Sequence, residues 1–221
     1  MHRIKIFSFL FLMIGLSACK KDSLAPAVDF KYNYYPLSLN KVLIYDVDST
    51  AYSIFFTAPR NFKFQIKDSV ADTFKDDNNR QVFRIERYKK IAGVWKYHKT
   101  IARLLTVRSA EETIDNKTYI RMVFPAEIDT YWDVNSKNVL NNLETFINKT
   151  YDNLSVNNLN FNNALQTRSE NKNLIEENIE TNIYAPDIGL ISSDVRAVDL
   201  KIETGKITNG YEYTMKVNSY K

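Results

Sequence analysis

Phe62-Lys63-Phe64-Gln65-Ile66-Lys67 alternates large apolar and polar residues without a break. Successive side chains of a strand point to opposite faces, so a period of two predicts a strand with one buried face. The same period returns in Tyr211-Glu212-Tyr213-Thr214-Met215-Lys216-Val217-Asn218. It returns again where Ile175, Ile179 and Ile183 share a face and Glu176, Asn178, Glu180 and Asn182 lie opposite, with the isoleucines as the expected inner face. Further strands are predicted for Val42 to Asp48, Gln81 to Tyr88, Val94 to Arg103, Leu104 to Arg108, Tyr119 to Phe124 and Val195 to Glu203.

Between these runs lie Asp76-Asp77-Asn78-Asn79, Ala92-Gly93, Asp115-Asn116 and Thr204-Gly205 to Asn209-Gly210, the polar or Gly-containing connectors that join antiparallel neighbours. Short connectors in series predict an all-β fold with little helix. Its roughly nine or ten strands form a single antiparallel meander curved into a half-barrel or barrel. Lipoprotein carriers and lipocalins are the fold-level analogies. A β-sandwich is the alternative, against which the continuous meander weighs. Residues 135–173 are rich in Asn, which favours turns and caps. An irregular insert with one or two short helical turns is expected there, within a single domain over 30–221.

The chain opens with a basic start (His2, Arg3, Lys5), an apolar run from Ile6 to Leu16 and small residues before Cys19, the order of a secretory signal. The run is shorter than the roughly 20 residues a membrane-spanning helix needs. Leu16-Ser17-Ala18-Cys19 resembles a bacterial lipobox. The resemblance implies removal of residues 1–18, acylation of Cys19 with palmitate-type chains, and anchoring to a membrane through a short tether over 19–29. Each buried methylene contributes about 0.8 kcal/mol, so several acyl chains hold firmly.

Loss of Arg3 and Lys5 with the signal takes the 30 Lys and Arg to 28, against 26 Asp and Glu. Such a balance gives no electrostatic footprint for nucleic acid. Cys19 is the only cysteine, so its acylation leaves no thiol for a disulfide, a thiolate metal site or a nucleophile. His98 is the one histidine of the mature chain, and a lone base without an orienting partner makes no catalytic triad. No phosphate-cradling glycine loop and no His-Glu-x-x-His occurs. No cofactor is expected.

Tyr34-Tyr35-Pro36-Leu37, Ile44-Tyr45-Asp46-Val47-Asp48, the stretch from Phe124-Pro125 to Trp132, Tyr184-Ala185-Pro186-Asp187-Ile188-Gly189-Leu190-Ile191 and Asn209-Gly210-Tyr211-Glu212-Tyr213 resemble, in order and spacing, uncharacterised lipoproteins of the Bacteroidota. The resemblance implies a cell-envelope address, at the outer membrane, facing either the periplasm or the cell surface. It implies no catalytic residue. Proteins of that phylum carry glycans on Asp-Ser/Thr-apolar motifs, which Ser23, Ser49 and Ser69 resemble.

The remaining candidates are weaker signals. Tyr34, Tyr35, Tyr131 and Trp132 sit beside turn-like segments; they either present rings to a ligand or plug the end of a curved sheet. Asp46 and Asp48 lie two apart and offer hard oxygens to calcium, without the glycine and distal glutamate of an EF-hand. The acid pairs Asp76-Asp77, Glu111-Glu112 and Glu176-Glu177 point to opposite faces of a strand and cannot act as neighbours. The expected function is non-enzymatic, the binding or assembly of a ligand or partner protein by a lipid-anchored envelope lipoprotein. The alternatives are a surface glycan-binding accessory protein and a hydrolase using carboxylates from distant strands.

Overall fold

The computed structural model describes residues 27–221. The signal, Cys19, Ser23 and most of the tether lie outside them. Twelve strands follow one another: β1 (Val42–Tyr52), β2 (Arg60–Lys75), β3 (Gln81–Ile91), β4 (Val94–Leu105), β5 (Ser109–Ile114), β6 (Lys117–Val123), β7 (Tyr131–Asp133), β8 (Glu144–Val156), β9 (Leu159–Lys172), β10 (Glu176–Ala185), β11 (Gly189–Leu200) and β12 (Ile207–Tyr220). They form one antiparallel sheet in which every strand pairs with its sequence neighbour, except that β12 pairs with β1 and β6 and β7 are the two edges. The fold is thus an all-β meander, without α-helix among the described residues, curled into a nearly closed barrel.

Closure falls at the β6–β7 seam, and Ile120 spans it with both of its backbone groups. Its N–H donates to the carbonyl of Val134 (2.9 Å), and its carbonyl accepts from Trp132 Nε1 (2.8 Å). A strand edge left bare invites pairing with another chain, and these contacts cover it.

Antiparallel order places the turns at alternate ends. The β1–β2, β3–β4, β5–β6, β7–β8, β9–β10 and β11–β12 turns lie at one end, and both chain ends reach the other. At that base Val42 and Lys221 exchange backbone hydrogen bonds of 2.9 and 3.0 Å. The segment ahead of β1 stoppers the base. Tyr32 donates to the carbonyl of Val107 (2.8 Å), Asn33 accepts from the Asp187 N–H (2.7 Å), Phe30 accepts from the Ala126 N–H (3.3 Å), and Tyr34 donates to the carbonyl of Asn163. Tyr34 and Tyr35 are buried there with Ala110, Met122, Phe124, Trp132, Ile147 and Leu165. Beside this cluster Leu43, Tyr45, Val47, Met215 and Val217 pack against Val156 and Phe161 from the β8–β9 hairpin.

Three expectations change. Most of the Asn-rich insert is regular: β8 and β9 form a long hairpin over 144–172, and only 134–143 remains a loop. The asparagines fit a hairpin because they occupy its left-handed positions (Asn157 at φ 51°, Asn163 at φ 55°) and its solvent face (Asn153, Asn160, Asn162). The strand expected over Leu104 to Arg108 ends at Leu105, where Thr106 Oγ1 accepts from the N–H groups of Arg108 (3.1 Å) and Ser109 (2.8 Å) and turns the chain. In β10 the faces are reversed. Glu180 and Asn182 turn into the barrel with Ser193 and Tyr213, while Ile179 sits on the outer face with Asp194 and Arg196.

The curl also needs one glycine. Gly210 pairs with both Tyr52 and Val198 at φ 109°, and a Cβ there would stand 2.1 Å from the carbonyl oxygen of Ala197. Gly210→Ala is expected to cost about 3 kcal/mol, strain and clash together. That corresponds to a fall of roughly 6–12 °C in Tm by circular dichroism for a domain of this size.

Candidate functional site: a charged pocket beneath the barrel mouth

Strands that curl round a common axis turn one face of each toward the others, so side chains far apart in sequence converge. Here that face carries charge. Arg87 on β3 grips Asp68 on β2 with two hydrogen bonds of 2.7 Å. Arg103 on β4 reaches Asp68 at 3.4 Å and Glu112 on β5 at 2.7 Å. Arg121 on β6 donates to the other Glu112 oxygen at 2.9 Å and stands 3.6 Å from Glu180 on β10, which accepts from Asn182 at 2.7 Å. The result is an unbroken alternation, Arg87–Asp68–Arg103–Glu112–Arg121–Glu180, running across the barrel interior.

Buried charges persist only when paired and hydrogen-bonded. Burial pushes the Glu112 carboxyl up, but Arg103, Arg121 and Arg87 outweigh it and hold the group at about 2. Burial works against the charge of Arg87, Arg103 and Arg121 as well, yet the carboxylates keep all three firmly protonated. Between 15 and 21% of each arginine side chain remains accessible, because the three line a pocket.

That pocket, about 180 Å³, lies above the base stopper among Tyr35, Arg103, Arg121, Glu180, Tyr184 and Ser193. Its polar inventory is incompletely used. The Tyr35 hydroxyl is buried with no hydrogen-bond partner, and the Arg103 guanidinium lies 5.9 Å from its ring centre. Burial raises the pKa of both Tyr35 and Tyr184, so both hydroxyls keep their protons.

Toward the turn-bearing end lie further tyrosines, of which Tyr213 lines the pocket. Tyr119 lies under the Arg121 guanidinium (5.0 Å), and Tyr211 and Tyr213 stack at 6.1 Å between ring centres. Tyr211 is 46% exposed, and Phe62, on the same strand face as Phe64, is 48% exposed. After desolvation, the Glu180 charge is the main influence raising the pKa of both Tyr211 and Tyr213, and Tyr213 lines the pocket with Glu180.

A larger hollow of about 1040 Å³ lies on the outer face of β9–β12, β1 and β2. Several of its charges are engaged in exposed pairs: Asp48 with Lys63 (2.8 Å), and Arg196 with Glu212 and with Glu177 beside the hollow (2.6 Å). Such exposed pairs form a solvated ladder worth little each, so the smaller internal pocket is the better candidate site.

The residues singled out from sequence scatter. Tyr34, Tyr35 and Trp132 are buried in the base cluster, whereas Tyr131 is 68% exposed. Of the four, Tyr35 alone lines the internal pocket. Asp46 and Asp48 share the outer face of β1, where Asp46 accepts from Gln65 and Asn218 (both 2.8 Å) and Asp48 faces Lys63. Among the described residues no group of three or more His, Cys, Asp or Glu is placed to hold a metal ion. Ser49 and Ser69 are half-buried on β1 and β2, and His98 is exposed on β4. Sequence reading missed the charged floor, since its members come from six strands. The nearest signal was the Tyr211/Tyr213 alternation.

No protein-family model matches the chain, and no curated protein sequence does. Two solved structures are similar. One is a candidate lipoprotein from Parabacteroides distasonis ATCC 8503, at 9% identity and TM-score 0.49, covering 88% of this chain and 100% of that one. The other is a candidate exported protein with a YmcC-like fold from Bacteroides fragilis NCTC 9343, at 10% identity and TM-score 0.45, covering 84% of this chain and 97% of that one.

Because the folded value of Glu112 lies below the ordinary 4.5, its stabilisation is complete above that pH and is lost as pH falls toward 2. The acid limb of a stability-versus-pH curve is expected to drop by about 3 kcal/mol over this window. Glu112→Gln leaves Arg103 and Arg121 without their shared carboxylate and should cost about 3 kcal/mol at pH 7, while flattening that limb in urea titrations.

Proposed function

We propose that this chain is a lipid-anchored lipoprotein of the bacterial envelope, held at the outer membrane by acylated Cys19, whose barrel binds a small ligand without transforming it. The observation that carries the reading is the internal pocket with unused polar groups, whose lining runs from Pro36 and Gly189 at the base to Tyr213. Small-ligand sites combine a concave wall with a few convergent polar groups. The placement of the ends supports the same view. The chain enters at the stoppered base, so an anchor there leaves the mouth directed away from the membrane.

Two other readings find less support. A carrier of lipid acyl chains needs an apolar lumen, but this pocket has charged walls and is smaller than the roughly 300–1,000 Å³ usual for drug-sized ligands. A carboxylate hydrolase needs one acid held protonated near neutral pH. Glu112 and Glu180 do face one pocket from different strands, but both contact Arg121, and Glu112 is driven the opposite way.

Two measurements test the proposal. Cys19→Ala should move the protein from the membrane to the soluble fraction with an unchanged circular dichroism spectrum; a variant that stays in the membrane would contradict the anchor. Native mass spectrometry of the full acylated chain, extracted in mild detergent, should show a retained small molecule that gentle activation releases. Turnover of a retained molecule would contradict a binding role.

A further inference from the structure

The hydrogen-bond inventory of the pocket is lopsided. Both oxygens of Glu112 and both of Asp68 are already engaged by guanidinium groups, and one Glu180 oxygen is taken by Asn182. On the donor side, Arg87 uses Nε and Nη2, Arg103 uses Nε and Nη2, and Arg121 uses Nε in hydrogen bonds. A guanidinium carries five N–H donors, so each keeps N–H groups with no partner among the described residues. The hydroxyl of Tyr35 is unpartnered as well, on a side chain 7% exposed. Lys41 also lines the pocket, but its ammonium is held by the Asp187 carbonyl, and the three arginines balance Asp68, Glu112 and Glu180.

Spare donors in a pocket whose own carboxylate oxygens are already engaged call for a ligand that accepts hydrogen bonds, most strongly through an ionised group. We infer that the pocket binds a small organic carboxylate, its two oxygens taken by the Tyr35 hydroxyl and the free N–H groups of Arg103 and Arg121, and its body lying toward Tyr213 and Met215. A carboxylate matches the fork of a guanidinium and accepts from several donors at once. A phosphate dianion would bring a second negative charge to a floor that is already balanced, and a neutral sugar accepts hydrogen bonds less strongly than a carboxylate. The pocket's 180 Å³ admits one small molecule with a ring or short chain. Tyr211 and Tyr213 then form the apolar collar through which the body passes.

This inference rests on the binding reading above, and the test separates the two. The full acylated chain in detergent micelles is titrated calorimetrically with benzoate, with benzamide as its neutral counterpart, and with inorganic phosphate. Benzoate is expected to bind one to one, at least about tenfold more tightly than benzamide or phosphate, and Tyr35→Phe should weaken it by about tenfold. Because the lost hydroxyl has no partner, the ligand-free Tyr35→Phe protein should keep its Tm or gain a few degrees, which distinguishes a ligand contact from a structural one. Equal affinity for benzamide, tighter binding of phosphate, an undiminished Tyr35→Phe variant, or no heat from benzoate up to millimolar concentrations would each overturn the carboxylate assignment. A retained neutral molecule in the native mass spectrum would overturn it while leaving the binding role standing. The absence of any retained molecule, together with silent titrations, removes both.

Discussion

The alternation of three arginines with three carboxylates inside the barrel is the constraint on which the rest of the structure turns. Each arginine is tolerable only because a carboxylate from another strand meets it, and each carboxylate only because an arginine does. The chain of contacts runs through β3, β2, β4, β5, β6 and β10, so satisfying it fixes how far the sheet must curl. Arg121 and Glu180 lie on strands distant in the sheet order, and their approach at 3.6 Å spans the interior rather than a strand pair. A flat sheet with the same ladders would keep the Arg87–Asp68 pair of neighbouring strands but would part Arg121 from Glu180. The network therefore acts as a register gauge for closure and, by keeping charge where a core would otherwise fill in, preserves the pocket.

The base works by the opposite logic. There the aromatic and aliphatic side chains of the segment ahead of β1 fill the lumen, and its backbone and hydroxyl groups are spent on three turns and on β9. The base of the barrel is thus a packed core, with the charged floor at its boundary. The unpartnered Tyr35 hydroxyl stands at that boundary because its ring belongs to the base cluster while its oxygen reaches the pocket.

Much of the architecture was legible in the sequence, and the exceptions have physical causes. Phe62, Phe64 and Ile66, like Met215 and Val217, alternate because one face packs and the other meets water, and these strands read correctly. β10 reads inside out because hydrophobicity was taken as the mark of the inner face, whereas this interior is charged and the outer hollow partly shelters Ile179. The β8–β9 hairpin was obscured by asparagines that serve as turn residues and solvent-facing positions of strands. Trp132 left two readings open, a ring for a ligand or a plug of the sheet, and its burial with the indole N–H donating to Ile120 fits the plug. The floor itself was beyond reach: Asp68, Arg87, Arg103, Glu112, Arg121 and Glu180 share no spacing, and only the curl of the sheet brings them together.

The meeting of Val42 and Lys221 at the base makes the chain nearly circular. β1 and β12 pair as fully as any consecutive strands, so the sheet does not mark where the polypeptide begins. The break that the architecture does register is the seam between β6 and β7, where a backbone bond, an indole and the Asn138 amide stand in for a ladder. Chain connectivity and sheet connectivity are therefore interrupted at different places. A circularly permuted chain, joined at the base and opened in the 124–130 loop, would bring the two interruptions together without changing a strand pair. The natural order instead puts the seam in mid-chain, where the loop between β6 and β7 ties its two edges covalently and limits how far the barrel can spread.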